Sequence, residues 1–132
     1  MIDEQAKANI VRVAKQNKLD FVVLFGSVAR GTQRSGSDID IAVFPQDPSV
    51  LSLVSEEIGT ALKRNDVEVA DLSIPSPYLW RAVARDGILL FEEKQGLFSQ
   101  WRLRAMNLWF DTAPIRARQK QALHVWADQQ TK

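Results

Sequence analysis

Five consecutive apolar residues, Phe21 to Phe25, run into Gly26-Ser27 and stop. Ten residues later, after Val28 to Ser37, an alternating segment opens with Asp38-Ile39-Asp40 and continues through Ile41 and Val43. An unbroken apolar run reads as a strand buried on both faces. Strict alternation reads as a strand with one face in the core. Two such strands side by side require a sheet with helices packed on it.

The flanking sequence supplies those helices. Residues 2–16 place Ile2, Ala6, Ile10, Val13 and Ala14 at helical spacing. A strand is expected over 19–25, and the small polar stretch GTQRSGS at 31–37 reads as a loop. Asp47-Pro48 is a helix start, and Leu51, Val54, Ile58, Ala61 and Leu62 form the apolar stripe behind it. Val67, Val69 and Leu72 suggest a third strand. Ser76-Pro77 opens a short helix with Trp80 and Val83, closed near Gly87, and Ile88–Phe91 reads as a fourth strand. From Leu97 onward, Phe98, Trp101, Ala105, Leu108 and Trp109 mark a longer helix, interrupted near Pro114. With a short helix beginning at Ser27, the order is α-β-α-β-α-β-α-β-α. The expected fold class is α/β (α+β): a small mixed β-sheet flanked by helices, with a C-terminal helical segment. One domain is expected over 1–132, with a core over 1–95 and a helical extension over 96–132.

Composition removes several kinds of chemistry. The chain has no cysteine, which excludes disulfides, thiol catalysis and Cys-based metal sites. One histidine, His124, excludes multi-His metal centres and leaves little room for a Ser–His triad. Lys plus Arg is 17 against 16 Asp plus Glu, a net charge of +1 with no sign of a general polyanion binder. No apolar run approaches the ~20 residues that span a bilayer, and the first residues lack a signal-peptide core. A cytoplasmic protein is expected, with no membrane partner and no direct nucleic-acid binding.

The segment from Leu24 to Phe44 carries the chemistry. Gly26 lacks a Cβ, so a phosphate could approach the backbone closely. Ser27 offers a hydroxyl where a helix could begin, and free amides at a helix start attract anions. Asp38 and Asp40 are two apart on a strand, on one face and about 6.6 Å apart along the chain. Two carboxylates so placed repel each other unless a cation sits between them, and hard oxygen ligands select Mg2+ or Mn2+. Ile39, Ile41 and Val43 bury the opposite face and hold the pair rigid. Anion cradle plus carboxylate pair is what a metal–nucleoside triphosphate needs.

GS, ten residues, then DID resembles the signature of the DNA polymerase β-type nucleotidyltransferases. GSVARGTQRSGSDIDIAV is similar to the minimal nucleotidyltransferase (MNT) branch of that superfamily. The likeness extends through DVEVADL at 66–72, GILLFEE at 87–93 and LWFDTAP at 108–114. It implies that Asp38 and Asp40 bind two metal ions and that Gly26 and Ser27 hold the phosphates. For the third carboxylate the resemblance points to Glu68, with a Glu where Asp is commoner. Glu68 could ligate a metal, accept a proton, or be a solvated glutamate on an edge strand. Asp71 matches a second acidic position of the pattern and reads better as a cap on the strand end. Arg30 either pairs with a phosphate or anchors its loop to an acidic neighbour. Arg34 lies in the 31–37 loop.

The resemblance further implies an antitoxin. MNT proteins of this kind are encoded beside HEPN-domain ribonuclease toxins and transfer AMP from ATP to a toxin tyrosine by two-metal chemistry. The alternatives are a nucleotidyltransferase acting on a small molecule such as an aminoglycoside, and a degenerate binding antitoxin. The four tryptophans read as core or partner-facing. Trp101, Trp109 and Arg104 are candidates for the docking face, and the arginines of the last third read as a solvated helix face or a partner surface.

Overall fold

The computed structural model describes residues 2–31 and 38–130. In chain order the elements are α1 (Glu4–Gln16), β1 (Leu19–Phe25), α2 (Gly26–Arg30), β2 (Ile39–Pro45), α3 (Leu51–Leu62), β3 (Val67–Asp71), α4 (Pro77–Asp86), β4 (Ile88–Glu92), α5 (Leu97–Asp111) and α6 (Ala113–Gln130). The expected alternation is present. From residue 32 onward the expected 31–37 loop, with Arg34, lies outside the described residues.

The helix starts follow from their capping side chains. Asp3 Oδ1 accepts from the Ala6 amide at 2.7 Å, Asp47 Oδ1 from Ser49 at 3.0 Å and Ser76 Oγ from Leu79 at 3.4 Å. Each satisfies an amide that has no partner within its own helix. Asp47 begins a 3₁₀ turn, Pro48–Val50, that leads into α3. The interruption near Pro114 is a break between two helices. Pro114 has no N–H to continue the ladder of α5, and Thr112 closes that helix by donating its hydroxyl to Leu108 O at 2.7 Å.

The sheet order is β3-β2-β1-β4. β1 pairs antiparallel with β2 and β4, and β2 pairs parallel with β3. Because side chains alternate along a strand, the sheet feeds two separate cores. Val22, Leu24, Ile39, Ile41 and Val43 meet Ile10, Val13, Val54 and Ile58 of α1 and α3 on one face. Phe21, Val23 and Ala42 meet Trp80, Val83, Phe98, Trp101 and Ala105 of α4 and α5 on the other. Full burial of side chains of this size contributes about 1.5–3 kcal/mol each. This two-sided burial explains the unbroken apolar run of β1.

Trp101 is 2% exposed, with its ring 5.6 Å from that of Phe21 and 5.4 Å from that of Trp80. It packs the second core and cannot serve on a docking face. Arg104 places its guanidinium 5.5 Å from the Trp80 ring. α6 buries none of its residues and leaves Ile115, Leu123, Val125 and Trp126 exposed. Among the described residues no helix is long and apolar enough to cross a membrane.

Candidate active site

The carboxylates gather at one end of the second face. Ile39, Ile41 and Val43 are at most 1% exposed and fix β2 from beneath, so Asp40 projects to the side that Ala42 shares with α4 and α5. The parallel register sets Asp40 opposite Glu68 and Ile39 opposite Val67. Asp40 and Glu68 therefore leave the sheet on the same face. Asp38 stands just before β2 and is exposed, as is Glu68. Burial, then the negative charges of Glu68 and Asp38, raise the Asp40 carboxyl above its ordinary value, and Arg30 partly offsets this. The three carboxylates form one electrostatic group.

Gly26 closes the other side. It has φ of +78°, and a Cβ added to it would land on Asp40 Oδ2. Both the left-handed backbone and the contact require glycine. The contact arises because Phe25 pairs with Asp40 across β1 and β2. Ser27, half-buried, is the second residue of α2.

Arg30 ends α2 and donates from Nη1 to Asp86 Oδ2 at 3.4 Å. Of the two roles open to it, the anchor to an acidic neighbour is formed here. Asp86 is also held by Arg85 Nη2 at 2.9 Å, and these two guanidinium groups, Arg85 foremost, hold its carboxyl below the ordinary range. On the opposite flank, Arg64 forms a bidentate pair with Asp66 and also feels the charge of Asp38. Asp71 accepts from the Ser73 amide at 2.8 Å and the Ser73 hydroxyl at 2.6 Å, which is the strand-end cap. No motif or spacing in the sequence points to Asp86 or Arg64. Both lie far along the chain from the Gly-Ser and Asp-x-Asp segment, and only the fold brings them beside it.

Among the described residues no three acidic side chains are drawn closely enough to surround an ion. The donor set still suits a hard divalent cation: all donors are carboxylate oxygens, and their mutual repulsion is what a cation relieves. The residues present fit such a metal in chemistry and charge.

The family model described as "Polymerase beta, Nucleotidyltransferase" matches residues 8–96. The protein adenylyltransferase MntA of Shewanella oneidensis is 34% identical over 91 residues, 65% of this chain and 65% of that protein. The chain thus spans just under two thirds of the length of that curated relative. A solved toxin–antitoxin structure with AMP-PNP is similar at 27% identity and a TM-score of 0.74, covering 89% of this chain and 98% of the other. A mutant of the toxin–antitoxin MntA–HpeT is similar at 27% identity and a TM-score of 0.72, covering 89% and 97%.

Proposed function

We propose that this chain, which belongs to the polymerase beta nucleotidyltransferase family, transfers AMP from ATP to a tyrosine of a HEPN-type toxin and so neutralises it. The observation that carries the reading is the in-register pair Asp40–Glu68 beside Asp38, with Gly26 against Asp40. The similarity to a protein adenylyltransferase and to a toxin–antitoxin with AMP-PNP supports the nucleotide and the protein acceptor.

In this reading Gly26 lets the triphosphate approach the backbone, Ser27 binds a phosphate, and Arg30 turns from Asp86 toward the phosphates. Asp38, Asp40 and Glu68 hold Mg2+ or Mn2+, with two ions expected. Bound there, the metal supplies charge neutralisation for the triphosphate and lowers the pKa of the attacking hydroxyl. The tyrosine oxygen forms a bond to the α-phosphorus, the bond to the β-phosphate oxygen breaks, and pyrophosphate leaves. Glu68, exposed at the sheet edge like Asp38 before β2, either completes the metal's ligands or takes the hydroxyl proton. A tyrosine hydroxyl has an ordinary pKa near ~10, and His124 sits on exposed α6, apart from this cluster. The protein's contribution is positioning and fixed charge.

We read 1–132 as one unit, with a catalytic core over 1–95 and a helical extension over 96–132; the burial of Phe98, Trp101 and Ala105 against the sheet supports this for α5. A reaction that consumes ATP suits the cytoplasm. The test is incubation with Mg2+, α-labelled ATP and the protein encoded beside this chain. Label and one or more AMP mass increments on that protein, lost when its acceptor tyrosine is replaced by Phe, are expected. Label on a small molecule or on RNA, with none on protein, would overturn the reading.

A further inference from the structure

We infer that the groove between α4 and α5 docks an acidic, apolar-bearing segment of the acceptor protein; this rests on the reading of a protein acceptor given above. The groove encloses about 460 Å³. Arg81, Ala84 and Arg85 line it from α4, and Arg102, Ala105, Met106, Trp109 and Phe110 from α5. Those spacings of three and four residues are what put each set on one helix face.

The groove is apolar at its floor and cationic at its edges. Ala84 and Ala105 are buried, while Met106 and Phe110 are 52% and 65% exposed. Three guanidinium groups line it and no acidic side chain does. Arg81 is stacked 4.3 Å from the Trp109 ring, and Arg102 Nε donates to Ala84 O at 3.0 Å. These contacts fix the two side chains in place but leave their charge uncompensated. Among the described residues no carboxylate pairs with Arg81 or Arg102. Fixed, unneutralised arginines beside exposed Met and Phe fit carboxylates flanked by an apolar side chain.

A chain of side-chain contacts connects the groove to the candidate site. Arg85 at its edge pairs with Asp86, and the same Asp86 oxygen accepts from Arg30 at the end of α2. Asp40 and Glu68 project on the sheet face that α4 and α5 cover. A segment seated between those helices is linked to the carboxylate cluster through Arg85, Asp86 and Arg30, whose charge acts on Asp40.

The test uses the full chain and a random glutamate–tyrosine copolymer as probe, with a lysine–tyrosine copolymer as control. The chain should bind the acidic copolymer, more weakly at higher NaCl, and not the basic one. Arg81→Glu with Arg102→Glu should weaken binding by about tenfold or more. Met106→Asp, at an exposed position, should weaken it in the same direction and guards against misfolding of the first variant. Arg118→Glu on α6 should leave it unchanged. The thermal shift with Mg·ATP should be the same in all variants. Equal binding by folded groove variants, binding of the basic copolymer, or displacement by oligothymidylate would each overturn the inference, the last in favour of a nucleic-acid groove. Groove-dependent binding without AMP transfer to any protein would leave the docking site standing and remove the proposed reaction.

Discussion

Asp40 and Glu68 are register partners across the parallel pair of β2 and β3, so two carboxylates from distant parts of the chain share one sheet face. Asp38 adds a third charge from the same end of β2. The cluster gains nothing from its own mutual interactions, and the Asp40 carboxyl is raised by burial and by both neighbours. The fold carries this strain because Ile39, Ile41 and Val43 anchor β2 from the opposite side.

Asp38→Asn with Asp40→Asn should therefore abolish AMP transfer without unfolding the chain. A raised carboxyl pKa means the folded state holds that proton more tightly than the unfolded one. Its contribution favours the fold below the unfolded value of about 3.9 and is lost as pH rises through the folded value. At neutral pH in EDTA, the Tm of the double variant should equal or exceed that of the unmodified chain. The advantage should fade on acidification toward pH ~4. A lower Tm at neutral pH in EDTA, or full transfer activity, would contradict the assignment.

Gly26→Val tests the other wall. Valine is strained at φ +78°, and its Cβ meets Asp40 Oδ2. The left-handed conformation costs about 1–2 kcal/mol and forced contacts add about 1–3 kcal/mol. Denaturant unfolding should report a loss in that range, and the Mg·ATP-induced rise in Tm expected by mass action should disappear. A normal thermal shift in a normally stable variant would separate Gly26 from the nucleotide.

Glu68→Gln and Asp71→Asn compare the two acids on β3. Glu68 is exposed and in register with Asp40, whereas Asp71 is occupied by Ser73. Glu68→Gln should lower kcat by about a hundredfold or more while the Kd for the nucleotide changes little. Asp71→Asn should cost about 1 kcal/mol of stability through the lost cap and leave turnover nearly intact. The opposite order, measured by steady-state kinetics and ATP titration, would exchange their roles.

Local patterning made much of this legible. β1 and β2 were readable because continuous and alternating apolar runs have different burial. The helix starts were readable because Asp3 aside, Asp47 and Ser76 stand directly before proline. What was illegible depended on pairing across long sequence separations. The Arg30–Asp86 contact spans 56 residues, and no spacing rule predicts it. Trp101 and Trp109 look alike in sequence, both apolar positions of one helix. In the fold, Trp101 faces Phe21 and Trp80, while Trp109 lies half-buried between Arg81 and Arg116, 4.3 and 3.4 Å from its ring. Which of two turns of α5 meets the sheet is set by where α4 sits, not by the composition of α5.

That difference makes the last third of the chain testable by stability alone. Trp101→Ala should cost about 3–5 kcal/mol, because it removes the ring that closes the second core between Phe21, Trp80 and Phe98. Its indole N–H has no hydrogen-bond partner. Trp101→Phe should therefore be much milder, since it keeps a ring in place and strands no polar group. Trp126→Ala on α6 should stay within about 0.5 kcal/mol, because that residue is 58% exposed and α6 buries none of its residues. Urea unfolding monitored by circular dichroism gives all three values. A Trp101→Ala loss no larger than that of Trp126→Ala would mean that α5 is dispensable to the core and that residues 96–132 form a detachable extension.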